Sequence, residues 1–273
     1  MVVIKKVSAR EYAELKQIVK KLAGVELGNN KQYLVESRFN PIMKDFNIDG
    51  FATLITRVKN RRETKLIDKF IDAITTHETL FFRDKTPFDA LKKLLQGDLG
   101  KKRKLRIWSA AASTGQEAYS IAMIIEEINR LKSIKINYEI LGTDISEDVL
   151  TYAKDGVYRK HEVSRGLPRE YLSKYFKQEG MSYRVNNDLK RHITFRKFNL
   201  ITGPYNFPKF DIIFCRNVLI YFDDTNKKNI YRNLHNSLER DAYLFIGSSE
   251  SLMNYTNDFK KVAVERSFVY TQK

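Results

Sequence analysis

The stretch W-S-A-A-A-S-T-G-Q-E-A-Y-S, Trp108 to Ser120, decides the fold. It closes a short apolar run, 105–110, that reads as a strand. It opens a run, 115–132, whose apolar residues recur at helical spacing. Between them lies a turn crowded with small residues, of which only Gly115 is glycine. Small residues allow close backbone approach, the usual task of glycine in a strand-to-helix turn that meets a nucleotide. The pattern is not G-x-G-x-x-G and lacks the lysine of a phosphate loop. Glu117 in the first helical turn would repel phosphate but suits a positive amino or sulfonium group, which points to S-adenosylmethionine. A packing turn with no ligand remains the alternative at this point.

Downstream, strands and helices alternate. Runs 137–144, 192–199, 210–217, 241–249 and 266–272 read as strands, and 146–156 and 225–239 as helices. Alternation of this kind implies a mainly parallel sheet covered on both faces, with ligands at the carboxyl ends of the strands. Asp144 ends the second strand, where an acidic residue can accept two hydrogen bonds from a ribose diol. It can equally cap the next helix, although Ser146 suffices for that. Arg216 and Asn217 end the strand 210–217 and face the same crevice, with Tyr221 and Phe222 as wall candidates. Cys215 has no motif partner and reads as a buried structural thiol. Residues 157–191 break the alternation and read as a small inserted subdomain. It holds a helix after Pro168 and two short strands joined by a hairpin turn at Asn186-Asn187-Asp188.

Upstream, residues 1–75 read as helical throughout. Ser8 with Glu11 forms a capping-box pattern, and Gly24 is a plausible stop for the first helix. Pro41 is expected to kink or divide the second helix. Residues 1–70 hold 15 Lys or Arg against 8 Asp or Glu. Residues 76–104 read as a linker, "TTHETLFFRD", a short helix, 87–96, and a solvated turn. Phe81 and Phe82 read as domain-packing aromatics. Thr79 and Arg83, four apart, would share a helix face. Arg83 could bind a carboxylate or form a surface ion pair with Asp84 or Asp89.

Composition bounds the rest. The 273 residues are 42% apolar and 12% aromatic, enough for a sizeable core. A formal charge of +16 favours acidic partners without choosing among them. One cysteine and four scattered histidines make no metal spacing. No apolar run approaches the ~18 residues of a membrane span, and the N-terminus has no signal-peptide pattern. A cytoplasmic, metal-free protein with no membrane insertion is expected.

The strings "THETLFFRD", "RIWSAAASTGQEAYSIAM", "GTDIS", "FNL" (198–200), "FDIIFCRNVLIYFD" and "FIGSSESL" together resemble the chemotaxis receptor methyltransferases, the CheR family. They occur in the family's order from about residue 8 to the C-terminus. The resemblance implies an α/β fold: a class I S-adenosylmethionine-dependent methyltransferase with a Rossmann-like doubly wound sheet. It also implies an N-terminal all-helical domain (1–75), a linker and connecting helix (76–104), and a catalytic domain (105–273). A small antiparallel β-subdomain is inserted at about 157–191. The implied activity is methylation of glutamate side chains on the acidic cytoplasmic helices of chemoreceptors, giving methyl esters and S-adenosylhomocysteine. By position, the implied cofactor contacts are His77, Thr79, Arg83, Glu117, Asp144, Asn199, Leu200, Arg216 and Asn217. Arg83 and Tyr221 would orient groups at the transfer site. His77 stands where the family usually has asparagine, and "GQEAY" replaces the commoner "GEEPY". A docked receptor C-terminal peptide on the subdomain and a monomeric state are further expectations.

Two other readings stand beside it. The charge and the cofactor fold also suit a nucleic-acid methyltransferase, but the Asn/Asp-Pro-Pro-Tyr tetrapeptide of base-nitrogen transfer is missing. A non-catalytic S-adenosylmethionine-sensing module is the second.

Overall fold

The computed structural model describes residues 5–133 and 135–273, so the first four residues of the N-terminal helical segment lie outside it. Four helices come first: α1 (Ala9–Ala23), α2 (Gln32–Asp45), α3 (Phe51–Asn60) and α4 (Thr64–Ile74). Ser8 caps α1 in the expected capping box, and Gly24 ends it with φ 73°. Pro41 does not divide α2, which runs on to Asp45. These helices share one apolar core, with Phe39 and Phe70 stacked at 4.5 Å.

Helix α5 (Thr86–Gln96) leads to a 3-10 turn, 98–101, that buries Leu99, so this turn is not fully solvated as expected. Then come β1 (Lys104–Ala110), α6 (Gln116–Arg130), β2 (Asn137–Asp144) and α7 (Glu147–Asp155). The insertion holds β3 (Val157–Arg159), α8 (Lys160–Val163), α9 (Arg169–Tyr175), β4 (Phe176–Glu179), β5 (Ser182–Val185) and α10 (Asn187–Lys190). The chain closes with β6 (Ile193–Lys197), β7 (Phe210–Cys215), α11 (Asp224–Asn236), β8 (Leu238–Ile246), β9 (Phe259–Val264) and β10 (Ser267–Gln272).

Seven strands form one sheet in the order β6-β2-β1-β7-β8-β10-β9. The first five pair in parallel, and β10 runs antiparallel to both β8 and β9. From β1 the chain winds outward through β2 to β6, then returns to the other side of β1 through β7 and β8. The order therefore reverses between β1 and β7, and a ligand crevice opens at the carboxyl ends there. The sheet is covered on both faces. Helices α5 and α6 and the insertion share one core, and α11 packs into another around Trp108, whose Nε1 donates to Thr143 Oγ1 at 2.9 Å.

The insertion is a three-stranded antiparallel sheet, β3-β5-β4, but its hairpin lies elsewhere than expected. Gly180 (φ 59°) and Met181 make the turn between β4 and β5. Asn186 instead precedes α10, and the following strand, β6, joins the main sheet beside β2. Phe81 and Phe82 are not packed into the helical unit's core: they join the core shared by α5, α6 and the insertion, Phe81 edge-on to Tyr158 and Phe176, Phe82 against Phe88 and Tyr171. Among the described residues no helix is long and apolar enough to cross a membrane.

Candidate functional site

Strand register brings three loops together. Ala110 lies opposite Thr143 of β2 and Cys215 of β7, so Ala111, Asp144 and Arg216 follow side by side at the carboxyl edge. A pocket enclosing about 990 Å³, part of it open to solvent, forms here. All nine residues named as cofactor contacts line it, as do Tyr221 and Phe222. Ala23 and Val25 add a wall from the helical unit.

The turn after β1 has the backbone of a glycine-rich loop with other residues in it. Ala111 (φ 62°), Ser113 (φ 50°) and Gly115 (φ 93°) are all left-handed. Such φ values are costly for residues with a Cβ. Tertiary bonds hold Ser113 in place: its N–H donates to Asp144 Oδ2 at 2.9 Å and its hydroxyl to the His77 carbonyl at 2.8 Å. At Gly115 an added Cβ would sit 2.9 Å from Ala153 Cβ, so this position needs glycine for space as well as φ.

Asp144 is 7% exposed. Its Oδ1 accepts the Ser146 N–H at 3.1 Å and its Oδ2 that of Ser113. Each oxygen keeps capacity for one further donor, which is what a ribose diol requires. Ser146, not Asp144, is the N-cap of α7. Burial raises the Asp144 pKa above the ordinary range, against the lowering effect of those two amides and of His77.

His77 is tied to the helical unit. Its Nε2 lies 3.2 Å from Asp72 Oδ1 and 2.8 Å from Thr75 Oγ1, and Ser146 Oγ also bonds Asp72. Burial would lower the His77 pKa, but the Asp72 hydrogen bond and the charges of Asp144 and Asp72 outweigh it and raise it. Asp72 is held low, first by His77 and further by Ser146, against its own burial.

Arg216 is the electrostatic centre. Its side chain is 1% exposed. Nη1 donates to Glu117 Oε2 at 2.9 Å, and Nη2 to Asp84 Oδ2 at 2.8 Å and the Arg83 carbonyl at 2.9 Å. Ser109 Oγ donates to the other Glu117 oxygen at 2.8 Å. Two carboxylates thus share one guanidinium, with the Arg83 guanidinium also lining the pocket beside them. Asp84 is therefore the partner of Arg216 and not of Arg83. Arg83 Nη1 bonds the Glu78 carbonyl at 2.9 Å instead. Nor do Thr79 and Arg83 share a helix face: residues 77–80 form no helix, and 81–84 form a turn. Arg83 sits in a turn in which Phe82, Asp84 and Lys85 are all left-handed, with the Phe82 N–H held by Ser120 Oγ.

The Asn199 side chain is committed to structure, donating to the Leu22 carbonyl at 2.8 Å and accepting from Ile201 N–H. Tyr221 is held through its carbonyl by the Glu26 N–H at 2.9 Å. Burial first, then Glu250 and Glu117, push the Cys215 thiol well above its usual range, as suits a structural residue. Sequence reasoning does not find Asp84, Asp72 or Ser113 as site residues. None of them carries a local motif; only long-range partners give them a role.

Of the basic residues on the helical unit, Arg38 is bound to the Ala73 and Thr75 carbonyls, Arg57 to Glu63, and Lys59 to Glu14. Lys31, Lys44, Arg61 and Arg62 remain exposed.

Residues 77–268 match the CheR methyltransferase SAM binding domain, and residues 10–75 the CheR methyltransferase all-alpha domain. A chemotaxis protein methyltransferase Cher2 of Pseudomonas putida is 38% identical over 271 residues, covering 96% of this chain and 98% of its own. Chemotaxis protein methyltransferase 1 of Pseudomonas aeruginosa is 40% identical over 93% of this chain and 95% of its own. The chemotaxis protein methyltransferase of Escherichia coli is 32% identical over 92% and 88%. A switch-point pocket with a ribose-competent aspartate, on a chain matched over nearly its whole length, places the protein in the CheR methyltransferase family, with S-adenosylmethionine as the ligand of its α/β domain.

Proposed function

We propose that this chain methylates glutamate side chains on the cytoplasmic helices of chemoreceptors, giving glutamate methyl esters and S-adenosylhomocysteine. The observation that carries the reading is the convergence of residues from five separate motif strings on one pocket at the switch point. S-adenosylmethionine, when bound, supplies a methyl group on a positively charged sulfur. The residues present fit it. Asp144 has the two free acceptor positions a ribose needs, and Glu117 presents a carboxylate to the pocket for a cationic ligand.

A substrate glutamate is already ionised at pH 7, with an ordinary pKa of about 4.3. It needs no general base, and the task of the protein is alignment. In this reading Arg83 and Tyr221 orient the reacting groups. A salt bridge that fully neutralised the carboxylate would weaken it as a nucleophile. Arg83 has its Nη1 committed to the Glu78 carbonyl, which limits how fully it can do so. The exposed Lys31, Lys44, Arg61 and Arg62 would draw an acidic receptor helix to the helical unit. The edge strands β3 and β4 offer a place for a receptor C-terminal peptide by strand addition.

The test is incubation with methyl-labelled S-adenosylmethionine and membranes carrying the cell's own receptors, followed by base treatment and peptide mapping. Base-labile label on receptor glutamates is expected. Label in RNA, or cofactor binding without any receptor ester, would overturn the reading.

A further inference from the structure

One carboxylate outside the pocket organises the loop that carries its most important wall. Glu250 Oε2 accepts the N–H groups of Asn217 at 2.9 Å and Gly247 at 2.6 Å. Its Oε1 accepts those of Val218 at 3.0 Å and Leu219 at 2.8 Å. Three of these four amides are consecutive in the segment that joins β7 to Tyr221. They converge because Asn217 is left-handed, with φ 58°. Successive amides turned to one side of the chain form a concavity that binds anions. Here the chain fills that concavity with its own side chain.

The fit is close. A Cβ at Gly247 would lie 2.7 Å from Glu250 Oε2 and 2.9 Å from the Asn217 nitrogen, distances no real Cβ tolerates. Gly247 is thus the residue that lets β8's end approach the loop. Asn217 and Tyr221 line the pocket, whereas Glu250 does not. Glu250 reaches the pocket wall through the 217–219 amides.

We propose that Glu250 is a positioning residue: it locks the 217–219 loop so that Asn217 meets the cofactor and Tyr221 meets the transfer site. The proposal rests on the receptor methyltransferase reading for its catalytic half only. Its binding half concerns the cofactor alone.

Glu250→Gln is the sharpest probe. It keeps the shape but turns an NH2 donor towards amides that are themselves donors. Glu250→Asp keeps the acceptor charge on a shorter arm. Both are compared with the natural chain for kcat and KM on receptor membranes, for S-adenosylhomocysteine affinity by calorimetry, and for the thermal unfolding midpoint. Glu250→Gln is expected to lower kcat about 100-fold, the loss that a 1 Å misplacement brings, and to weaken S-adenosylhomocysteine binding several-fold. Glu250→Asp is expected to recover a large part of both. Unchanged kcat and affinity in Glu250→Gln would overturn the proposal. So would a loss that merely tracks the unfolded fraction, or no recovery in Glu250→Asp. If the natural chain itself formed no receptor ester, the methyltransferase reading would fail. The affinity comparison would still decide the positioning role.

Discussion

Replacing Arg216 with methionine tests whether the charge network at the pocket floor exists in solution. Methionine is apolar and of similar length, so the substitution removes the charge without opening a large cavity. It strands Glu117, whose side chain is 13% exposed and would keep only the Ser109 hydroxyl as a donor. Asp84, at 34% exposed, loses less because water can replace its partner. Removing one member of a buried ion pair costs about 3–5 kcal/mol. Against a typical total stability of about 5–15 kcal/mol, that is roughly a fifth or more of what holds the chain folded. Urea unfolding of Arg216→Met, Glu117→Gln and the double variant completes a cycle. The double variant is expected to be more stable than the sum of the single losses predicts, by about 1–3 kcal/mol, because the neutral amide introduced by Glu117→Gln needs no cation. Strict additivity, or a loss below about 1 kcal/mol for Arg216→Met, would refute the network. Glu117→Gln should also weaken S-adenosylmethionine more than S-adenosylhomocysteine, since only the former carries the sulfonium charge.

Two further substitutions probe the loops beside it. Ala111 holds φ 62°, which costs a residue with a Cβ roughly 1–2 kcal/mol. Glycine relieves that cost but adds about 0.4–1 kcal/mol of freedom to the unfolded chain. Ala111→Gly is therefore expected to be neutral or slightly stabilising in urea, while Ala118→Gly inside α6 loses about 1 kcal/mol. Equal losses would contradict the left-handed loop. His77→Asn removes a group whose pKa is raised in the folded state. Such a group contributes stability that is fully present below its unfolded pKa, about 6.5, and is lost as pH rises through the folded value. The natural chain should thus exceed His77→Asn by more at pH 5.5 than at pH 9, read from unfolding midpoints; a gap independent of pH would show that His77 is not held by Asp72 as a cation.

The sheet is legible where strands are buried on both faces. The runs at β1, β2, β7 and β8 are apolar, bounded by turn residues, and separated by helical periodicity. Strand β9 escapes a reading by pattern because Lys260 and Lys261 interrupt its alternation. Charges of this kind suit a strand at the sheet edge, where they discourage pairing with another chain. Asn186-Asn187-Asp188 reads as a hairpin turn because asparagine is common both in turns and before helices; here Asn186 precedes α10 and its side chain donates to the Lys174 carbonyl. The left-handed φ at Ala111 and Ser113 leaves no mark in residue type. The Arg216 network is hidden for another reason. Its partners Asp84 and Glu117 lie 132 and 99 residues away in sequence, so only the folded sheet brings them together.

Part of the pocket is made from the helical unit. Gly24, at the end of α1, approaches Ile201 and Phe222 so closely that a Cβ would lie 2.4 Å and 2.8 Å from them. Val25 bridges Phe222, and the Glu26 N–H holds the Tyr221 carbonyl. Asn199 reaches back to the Leu22 carbonyl, and Lys20 pairs with Asp223 at 2.7 Å. That ion pair is half exposed on the lysine side and contributes little. The interlock therefore depends on close packing and backbone hydrogen bonds, which salt does not screen. Tyr221 is consequently fixed from two directions, by the helical unit through its carbonyl and by Glu250 through the preceding amides. In the proposed function, a receptor helix drawn onto the basic helical unit would meet Tyr221 anchored to that same unit. On the proposed function, alignment of an already ionised carboxylate, the one thing that chemistry requires of the protein, would thereby be built into the junction between the two family domains.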